Sequence, residues 1–284
     1  MGENLNGMPT TGIVLGIDVG WNPTRPTTGL SLIEWAHHKI SHVSCLVGTD
    51  EVNRLSILSQ IVRGRKLLAV GIDGPLAPEF RIMHEYRTVE ALLSRGKFQR
   101  RGKPGPTNGG SGPRLHQEAT KLAKLALSVS DVKTALYPYA IHKKAVVEAF
   151  PNAFLVVLQA DRGFPSTSEA HRRWTDILFP HTEQTMRRIL HSLLPKHELD
   201  FDIDQISGHE QVAAFLCALT ALCVAANRCV AVGDAKSGYI VLPPLQFWGD
   251  SIHKGSRWAE DELRNNATAI PGAMLFSDNR VWTS

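Results

Sequence analysis

Two short apolar runs in this chain each end on an aspartate that is followed within two residues by glycine. The first is Ile13-Val-Leu-Gly-Ile-Asp18-Val-Gly20, and the second is Leu67-Leu-Ala-Val-Gly-Ile-Asp73-Gly-Pro75. A third run, Ala145-Val-Val-Glu148-Ala-Phe-Pro151, carries a glutamate. Continuous apolar runs of this length are typical of strands buried on both faces in the centre of a parallel or mixed sheet. The sequence therefore predicts an α/β protein with acids at or near the ends of its central strands.

Acids at the ends of neighbouring central strands would lie in one small volume. Like charges held that close repel each other and raise each other's pKa unless a cation neutralises them. Asp18, Asp73 and Glu148 are therefore candidate ligands of a divalent metal ion. The alternative for each aspartate is a turn cap, because Asp and Gly dominate turns. The alternative for Glu148 is an edge strand with its side chain in water, since a buried carboxylate without a partner is costly.

Composition limits the remaining possibilities. With 284 residues, of which 43% are hydrophobic, the chain can bury a substantial core. A formal net charge of +4 is compatible with a polyanionic partner without requiring one. The four cysteines form no Cys-x-x-Cys pair and are interpreted as buried apolar residues. Neither a signal-peptide pattern nor an apolar stretch of the ~20 residues that span a bilayer is found, so a cytoplasmic protein without a membrane partner is expected.

The first quarter of the chain has the predicted element order β-β-β-α-β. After the first strand, Gly29–Trp35 and His38–Val47 have the pattern of two further strands. Residues 50–63 follow, with apolar residues at helical spacing and Asp50 as the N-cap. The strand that ends at Asp73 comes next. Because a helix connects it to the preceding strands, it is predicted to run parallel to the first strand.

The rest of the chain is predicted to be mainly helical. Helices are expected over Leu115–Ser128, over Ser166–Leu194 with a break at Pro180, and over Glu210–Ala226, and a last short strand over Tyr239–Pro243. These elements predict one domain over residues 12–243, with a helical insertion at about residues 160–207 before the last core helix. Residues 244–284 are interpreted as a tail packed on or beside this domain.

A long loop between Arg95 and Pro113 is rich in glycine and in cationic side chains. Loops of this length inside a compact domain are usually functional or disordered. Flexible positive charge near an acidic site is what contacts with a phosphate backbone need, although a solvated surface loop has the same composition. Arg81 and Arg87 lie closer to Asp73 in the sequence, and they too are interpreted either as phosphate contacts or as solvated surface residues. The candidate nucleic-acid contacts are Arg81, Arg87, Arg100, Arg101, Lys103 and Arg114.

The order of these motifs resembles that of a known family. The motifs are Gly16-Ile-Asp-Val-Gly20, Val70-Gly-Ile-Asp-Gly-Pro-Leu76, the Arg81 and Arg87 stretch, Val147-Glu-Ala-Phe-Pro151, Gly208-His-Glu-Gln-Val-Ala-Ala-Phe-Leu-Cys-Ala-Leu-Thr-Ala221 and Gly238-Tyr-Ile-Val-Leu-Pro243. They look like the successive blocks of the family called domain of unknown function 429, which is described as RNase H-like nucleases. Each block is short, and their order carries the specificity. The resemblance implies an RNase H-like mixed sheet flanked by helices, with catalytic acids at Asp18, Asp73 and Glu148.

The last core helix departs from the pattern of that family. The family typically has an Asp-Ala step ahead of the apolar run, whereas this chain has Ala213-Ala214 there. Glu210 lies one helical turn earlier on the same face and can replace the missing acid. At a helix N-terminus it can equally serve to counter the macrodipole. Asp204 and His209 are further candidates, and without any replacement the protein would bind without cutting.

The resemblance implies hydrolysis of nucleic-acid phosphodiester bonds with two Mg²⁺ or Mn²⁺ ions. Asp18 would bridge the ions, about 3.5–4 Å apart, and Asp73 with Glu148 or Glu210 would complete their shells. Two other functions are compatible with the sequence. One is a nucleic-acid-binding or partner-binding protein on an inactive nuclease fold, which Ala213 favours. The other is an ATP-binding protein of the actin and sugar-kinase type, which shares the β-β-β-α-β core and an Asp-x-Gly turn.

Overall fold

The helices and strands of the protein are described from a computed structural model over residues 8–161, 174–249, 257–277 and 280–283. The strands are β1 (Gly12–Asp18), β2 (Thr28–Ala36), β3 (Lys39–Val47), β4 (Val70–Asp73), β5 (Val146–Ala149), β6 (Glu198–Leu199), β7 (Val230–Asp234), β8 (Gly238–Leu242), β9 (Met274–Ser277) and β10 (Arg280–Thr283). The helices are α1 (Glu51–Val62), α2 (Thr88–Leu92), α3 (Gly112–Val129), α4 (Pro151–Leu158), α5 (Trp174–Leu178), α6 (Glu183–Leu193), α7 (His209–Ala225) and α8 (Trp258–Thr268).

These strands form one mixed, open sheet in the order β10-β9-β7-β8-β5-β4-β1-β2-β3-β6. β1, β2 and β3 are an antiparallel meander, and β4 and β5 continue beside β1 in parallel. α1 connects β3 to β4, which confirms the predicted β-β-β-α-β order. β4 pairs with β1 in parallel, which confirms the predicted direction of the fourth strand. The protein is an α/β protein with a largely open sheet flanked by helices.

Local signals set the ends of several elements. α1 begins where the sequence predicts, because the Asp50 side chain accepts a hydrogen bond from the backbone N–H of Asn53 at 2.7 Å. Between α5 and α6, Pro180 lies in a short 3₁₀ turn over Phe179–His181, which confirms the predicted break. Residues 166–173 of that predicted segment lie outside the described residues.

The sheet continues beyond the last strand that the sequence predicts. β8 matches the predicted strand at Tyr239–Pro243, but the unpredicted β7 precedes it and pairs with it antiparallel. In the C-terminal tail, α8 is followed by β9 and β10, and β9 pairs with the other side of β7. The tail therefore contributes strands to the same sheet as the aspartate-bearing strands.

The central helix α7 lies directly on the sheet, and its residues 212–224 are buried. Gly16 and Gly71 are paired on β1 and β4 beneath it. A Cβ atom at Gly16 would be 2.1 Å from the Ala218 backbone nitrogen, and one at Gly71 would be 2.3 Å from the Cys217 carbonyl oxygen. Glycine at both positions therefore allows this close approach. Among the described residues, neither α7 nor any other helix has the length and apolar character needed to cross a membrane.

We expect Gly16→Ala to lower the free energy of unfolding by about 3 kcal/mol, because the added methyl group meets backbone atoms of α7 that cannot rotate away. Gly48→Ala is the matched control, since a Cβ atom there has no neighbour within 4 Å. Its expected effect is within about 0.5 kcal/mol. Urea unfolding followed by circular dichroism measures both, and equal midpoints for the two variants would contradict this packing.

Candidate active site

The two aspartates at the strand ends lie side by side. Asp18 ends β1 and Asp73 ends β4, and they are paired directly in the parallel register. Residues two apart in a strand share a face, so both aspartates lie on the face that Gly16 and Gly71 present to α7. Asp18 is 7% exposed, and its side chain is hydrogen-bonded to that of Asp73. The structure thus brings these two candidate ligands together.

The surroundings of Asp73 favour its neutral form. Burial raises the pKa of Asp73 from 3.8 to about 7, and the negative charge of Glu148 adds to this increase. The hydrogen bond with Asp18 lowers the pKa without offsetting these two effects. Adjacent carboxyl groups that cannot both ionise hold one proton between them. A cation bound at the aspartate pair would displace that proton.

Glu148 lies near Asp73 but on the other face of the sheet. In the sheet register it is paired with Ile72, one residue before Asp73, so its side chain leaves the opposite face. Its two oxygens accept hydrogen bonds from the Arg87 guanidinium at 2.7 and 2.8 Å, and one also accepts the backbone N–H of Leu76 at 2.9 Å. Burial raises the pKa of Glu148, and Arg87 opposes that change. Both side chains are therefore held in a buried ion pair.

This geometry bears on two of the sequence predictions. Glu148 is a predicted metal ligand, and in the structure an arginine balances its charge. Arg87 was predicted as a nucleic-acid contact, but it is 2% exposed and its guanidinium binds two buried carboxylates. A buried carboxylate needs a partner. The sequence pattern alone does not distinguish a metal ion from an arginine that lies far away in the chain.

The ion pair continues into the glycine-rich loop. Nε of Arg87 donates to Glu90 at 2.8 Å. Glu90 also accepts hydrogen bonds from the Thr107 backbone N–H at 3.0 Å and from the Thr107 hydroxyl group. We call Glu148, Arg87, Glu90 and Thr107 the buried network, and it ties β5 to the loop at residues 104–112. Glu90 and Thr107 were not among the predicted site residues, although the i,i+3 spacing of Arg87 and Glu90 is a signal of such a pair.

An open cleft lies beside Asp18 and carries charges of both signs. Its ionisable lining residues are Asp18, Arg25, Arg114, His209 and Glu210. The connection between β1 and β2 forms one wall, and Arg114 of α3 donates to the carbonyl oxygen of Trp21 in that connection at 3.2 Å. Two arginines therefore line the same space as Asp18.

A second buried arginine holds the connection between β1 and β2 in place. Arg54 of α1 donates to the Gly20 carbonyl oxygen at 2.7 Å and to the Thr28 hydroxyl oxygen at 2.9 Å. It also donates to the Glu118 carboxylate of α3 at 2.9 Å. Since Arg54 is 2% exposed, these contacts are shielded from water. The wall of the cleft is thus anchored by two helices.

The start of α7 supplies the other side of the cleft. Glu210 lies in the first turn of α7 and lines the cleft, whereas Ala213 is buried and brings no acid. Nδ1 of His209 lies 2.5 Å from the Thr175 hydroxyl oxygen, which orients the ring. Asp204, a further candidate for the missing acid, borders a separate pocket. Within the described ranges, no three Asp, Glu, His or Cys side chains lie close enough together to hold a metal ion by themselves.

The predicted nucleic-acid contacts are spread over the molecule. Arg101 binds Asp161 at 2.7 Å, and its guanidinium carbon lies 4.6 Å from the ring centre of Trp258. Arg101 therefore contacts other parts of the protein through its guanidinium group. Of the six predicted contacts, all of which are described, Arg114 is the one that lines the cleft. The exposed members of the set are Arg81, Arg100, Lys103 and Arg114.

A more enclosed pocket lies beside Asp73, under the glycine-rich loop, and we call it the loop pocket. Its ionisable lining residues are Asp73, Arg87 and Glu148. Most of its remaining surface is apolar side chain or glycine. The apolar lining residues include Pro104, Pro106, Leu115, Phe150 and Ile240. Asp18 thus borders the open cleft, whereas Asp73 borders the loop pocket.

Comparison with known proteins finds no match for this chain among protein families, curated proteins or solved structures. The class defined by fold and site is an α/β protein with a paired aspartate site at the carboxyl edge of its central strands. The resemblance to a nuclease family is carried by the order of the sequence motifs.

Proposed function

We propose that this protein is an RNase H-like nuclease that hydrolyses phosphodiester bonds of nucleic acid with divalent cations. The observation that carries the proposal is the Asp18–Asp73 pair at the carboxyl ends of two adjacent parallel strands. Ligand sites of open α/β sheets lie at this edge. The order of the motifs around Asp18 and Asp73 supports the same function.

The donor atoms of the pair fit Mg²⁺ or Mn²⁺. Both ions prefer carboxylate oxygens, and burial together with the charge of Glu148 raises the pKa of Asp73, which a bound cation would lower. Mg²⁺ usually keeps several waters and is bound by one or two carboxylates together with substrate phosphates. A pair of aspartates without a third ligand among the described residues therefore suits a cation shared between protein and substrate.

In this proposal, Asp18 would contribute to two cation sites. It is hydrogen-bonded to Asp73 and also lines the cleft that contains Glu210. Asp18 and Asp73 would hold one ion, and Asp18 and Glu210 would hold the other. Bound cations would supply an activated water and stabilise the leaving oxygen. Glu148 would act indirectly, through the buried network.

The chain's own cationic groups would bind the strand through its phosphates. Arg25 and Arg114 line the cleft, and the planar guanidinium group matches phosphate oxygens in a bidentate manner. Such contacts position a strand without selecting its sequence. Binding is therefore expected to weaken steeply as salt concentration rises. Arg81, Arg100 and Lys103 stay candidate contacts outside the cleft.

One observation favours a second function, binding of nucleic acid without cleavage. Ala213 occupies the position at which the resembled family has an aspartate, and it is buried in α7. If Glu210 does not replace that acid, the aspartate pair is left with fewer ligands than the proposed chemistry requires. A protein of this kind would keep its affinity for nucleic acid after removal of the metal ion.

Removal of the metal ion tests the proposal. Labelled single-stranded, duplex, hybrid and branched nucleic acids are incubated with Mg²⁺, Mn²⁺ or EDTA. We expect cleavage of at least one substrate with either ion and none with EDTA. Asp73→Asn is tested beside the wild type. Asp200→Asn is its control, because Asp200 is an exposed aspartate that pairs with Lys39 on the surface. Retained binding with no cleavage under any condition would exclude the nuclease and favour the binding protein.

A further inference from the structure

The cleft and the loop pocket differ in chemistry where they adjoin the aspartate pair. The cleft borders Asp18, is open, and is lined by the guanidinium groups of Arg25 and Arg114. The loop pocket borders Asp73, is more enclosed, and is mainly apolar. A substrate that contacts both spaces therefore needs an anionic part joined to a compact part of low polarity.

The loop pocket has room for a single ring-sized group. Its volume is about 230 Å³, below the roughly 300–1,000 Å³ of pockets that take drug-sized molecules. Leu115, Phe150 and the proline rings of the loop offer apolar surface to the faces of a flat ring.

The charged residues of the loop pocket do not favour an anionic ligand. Arg87 donates to Glu148 and Glu90, so its charge is balanced inside the protein, and Asp73 adds a further carboxyl group to the lining. A neutral ring with polar atoms at its edge is better suited to this pocket than a free anion. Enzymes that act on unpaired nucleotides hold the base in such a pocket, between apolar or aromatic side chains.

The buried network fixes the loop that covers the pocket. Thr107 lies next to Pro106, and Glu90 binds both its backbone N–H and its hydroxyl group. Thr107 and Glu90 are fully buried, so water does not compete for these contacts. The pocket is thereby preformed, which spares a ligand the cost of ordering the loop.

We propose that the loop pocket binds the nucleobase of an unpaired nucleotide whose phosphate lies at the Asp18–Asp73 pair. The identity of the complete substrate rests on the proposed nuclease function, whereas occupation of the pocket by a base is measurable without catalysis. A base that remains paired cannot enter, so the strand is single at the bound nucleotide. The proposal thereby narrows the substrate to single-stranded nucleic acid or to unpaired nucleotides within a larger structure.

Binding of two small probes tests the pocket directly. Adenosine monophosphate and ribose 5-phosphate share a phosphate and a sugar, and only the first has a base. We expect titration calorimetry with Mg²⁺ to give at least about tenfold tighter binding for adenosine monophosphate, which corresponds to roughly 1.4 kcal/mol. Equal affinities for the two compounds would overturn the proposal.

A large side chain introduced at the lining of the pocket gives a second test. Gly105 lines the loop pocket, a Cβ atom there has no neighbour within 4 Å, and its φ is outside the left-handed region. Gly105→Phe is expected to weaken adenosine monophosphate at least tenfold and to leave ribose 5-phosphate unchanged. Gly48→Phe is the matched control, since Gly48 has the same open space away from the pocket. If Gly105→Phe unfolds, Gly109→Leu replaces it, because the nearest atom to a Cβ there is Pro106 Cγ at 3.6 Å.

A cleavage assay separates this proposal from the nuclease itself. A single-stranded oligonucleotide with one abasic position is compared with the intact strand, and we expect at least tenfold slower cleavage at the abasic position. Cleavage that is equally fast there would overturn base binding while supporting the nuclease. Base-dependent binding of adenosine monophosphate without cleavage of any strand would support the pocket and overturn the nuclease.

Discussion

Asp73→Asn is expected to abolish metal-dependent cleavage and, in the absence of metal ions, to make the folded protein more stable. Loss of a metal ligand removes transition-state stabilisation worth several kcal/mol, so we expect cleavage to fall by about a thousandfold or more. The gain in stability has a separate cause. The introduced amide keeps the size of the aspartate side chain and no longer has to hold a proton next to Asp18.

The sign of the stability effect follows from the pKa of Asp73. The folded-state pKa of about 7 exceeds the ordinary value of 3.8 that applies to the unfolded chain. The stabilising contribution of the protonated group is therefore complete below about pH 4 and is lost as the pH rises through 7. The interval between the two values corresponds to no more than about 4 kcal/mol. Asp73→Asn has no such loss of stability. Its free energy of unfolding should therefore exceed that of the wild type most at pH 8, and the difference should vanish towards pH 4.

Thermal and urea unfolding between pH 4 and pH 8 in EDTA measure this difference. Asp200→Asn is the control, because that aspartate lies on the surface, where its carboxylate pairs with Lys39. Adding Mg²⁺ at pH 8 should stabilise the wild type and leave Asp73→Asn nearly unchanged, since at this pH both carboxylates of the wild-type pair are ionised and a cation would neutralise them. A variant that is less stable than the wild type at pH 8 in EDTA would show that the pair is not a site of electrostatic strain.

Arg87→Ala is expected to lower the free energy of unfolding by about 3–5 kcal/mol. Removal of the guanidinium group leaves Glu148 and Glu90 buried without a counter-charge, at 2% and 0% exposure. Arg87→Lys is expected to recover only part of the loss, because an ammonium group cannot pair with both oxygens of Glu148 while also reaching Glu90. Since Glu90 holds Thr107, we also expect the loop at residues 104–112 to become more accessible to proteases.

Arg187→Ala is the matched control for this experiment. Arg187 forms an ion pair with Glu183 at 2.5 Å, but both side chains are more than a third exposed to water. An exposed pair of this kind contributes about 1 kcal/mol or less. Urea unfolding of both variants at pH 7 measures the difference. Equal losses for Arg87→Ala and Arg187→Ala would contradict the assignment of the buried network as a major support of the fold.

Most of the meander and its crossover could be predicted from short stretches of sequence. The apolar run that ends at Asp18, the alternating pattern before Val47 and the cap at Asp50 are all read from neighbouring residues. Such signals suffice because strand faces and helix ends depend on residues two to four positions apart. The aspartate pair also follows from them, since parallel neighbouring strands end at the same edge of the sheet.

The partner of each buried charge was decided only by the tertiary structure. A shift of one residue in strand register moves a side chain to the other face of the sheet, and register pairs Glu148 with Ile72 rather than with Asp73, on the face where Arg87 binds its carboxylate. The same holds for β9, which is recognisable only through its pairing with β7. The sequence by itself determined the four strands of the meander and its crossover and the aspartates that end two of them, because those properties are local. Which residue neutralises which acid depends on contacts between distant segments, and these exist only in the folded chain.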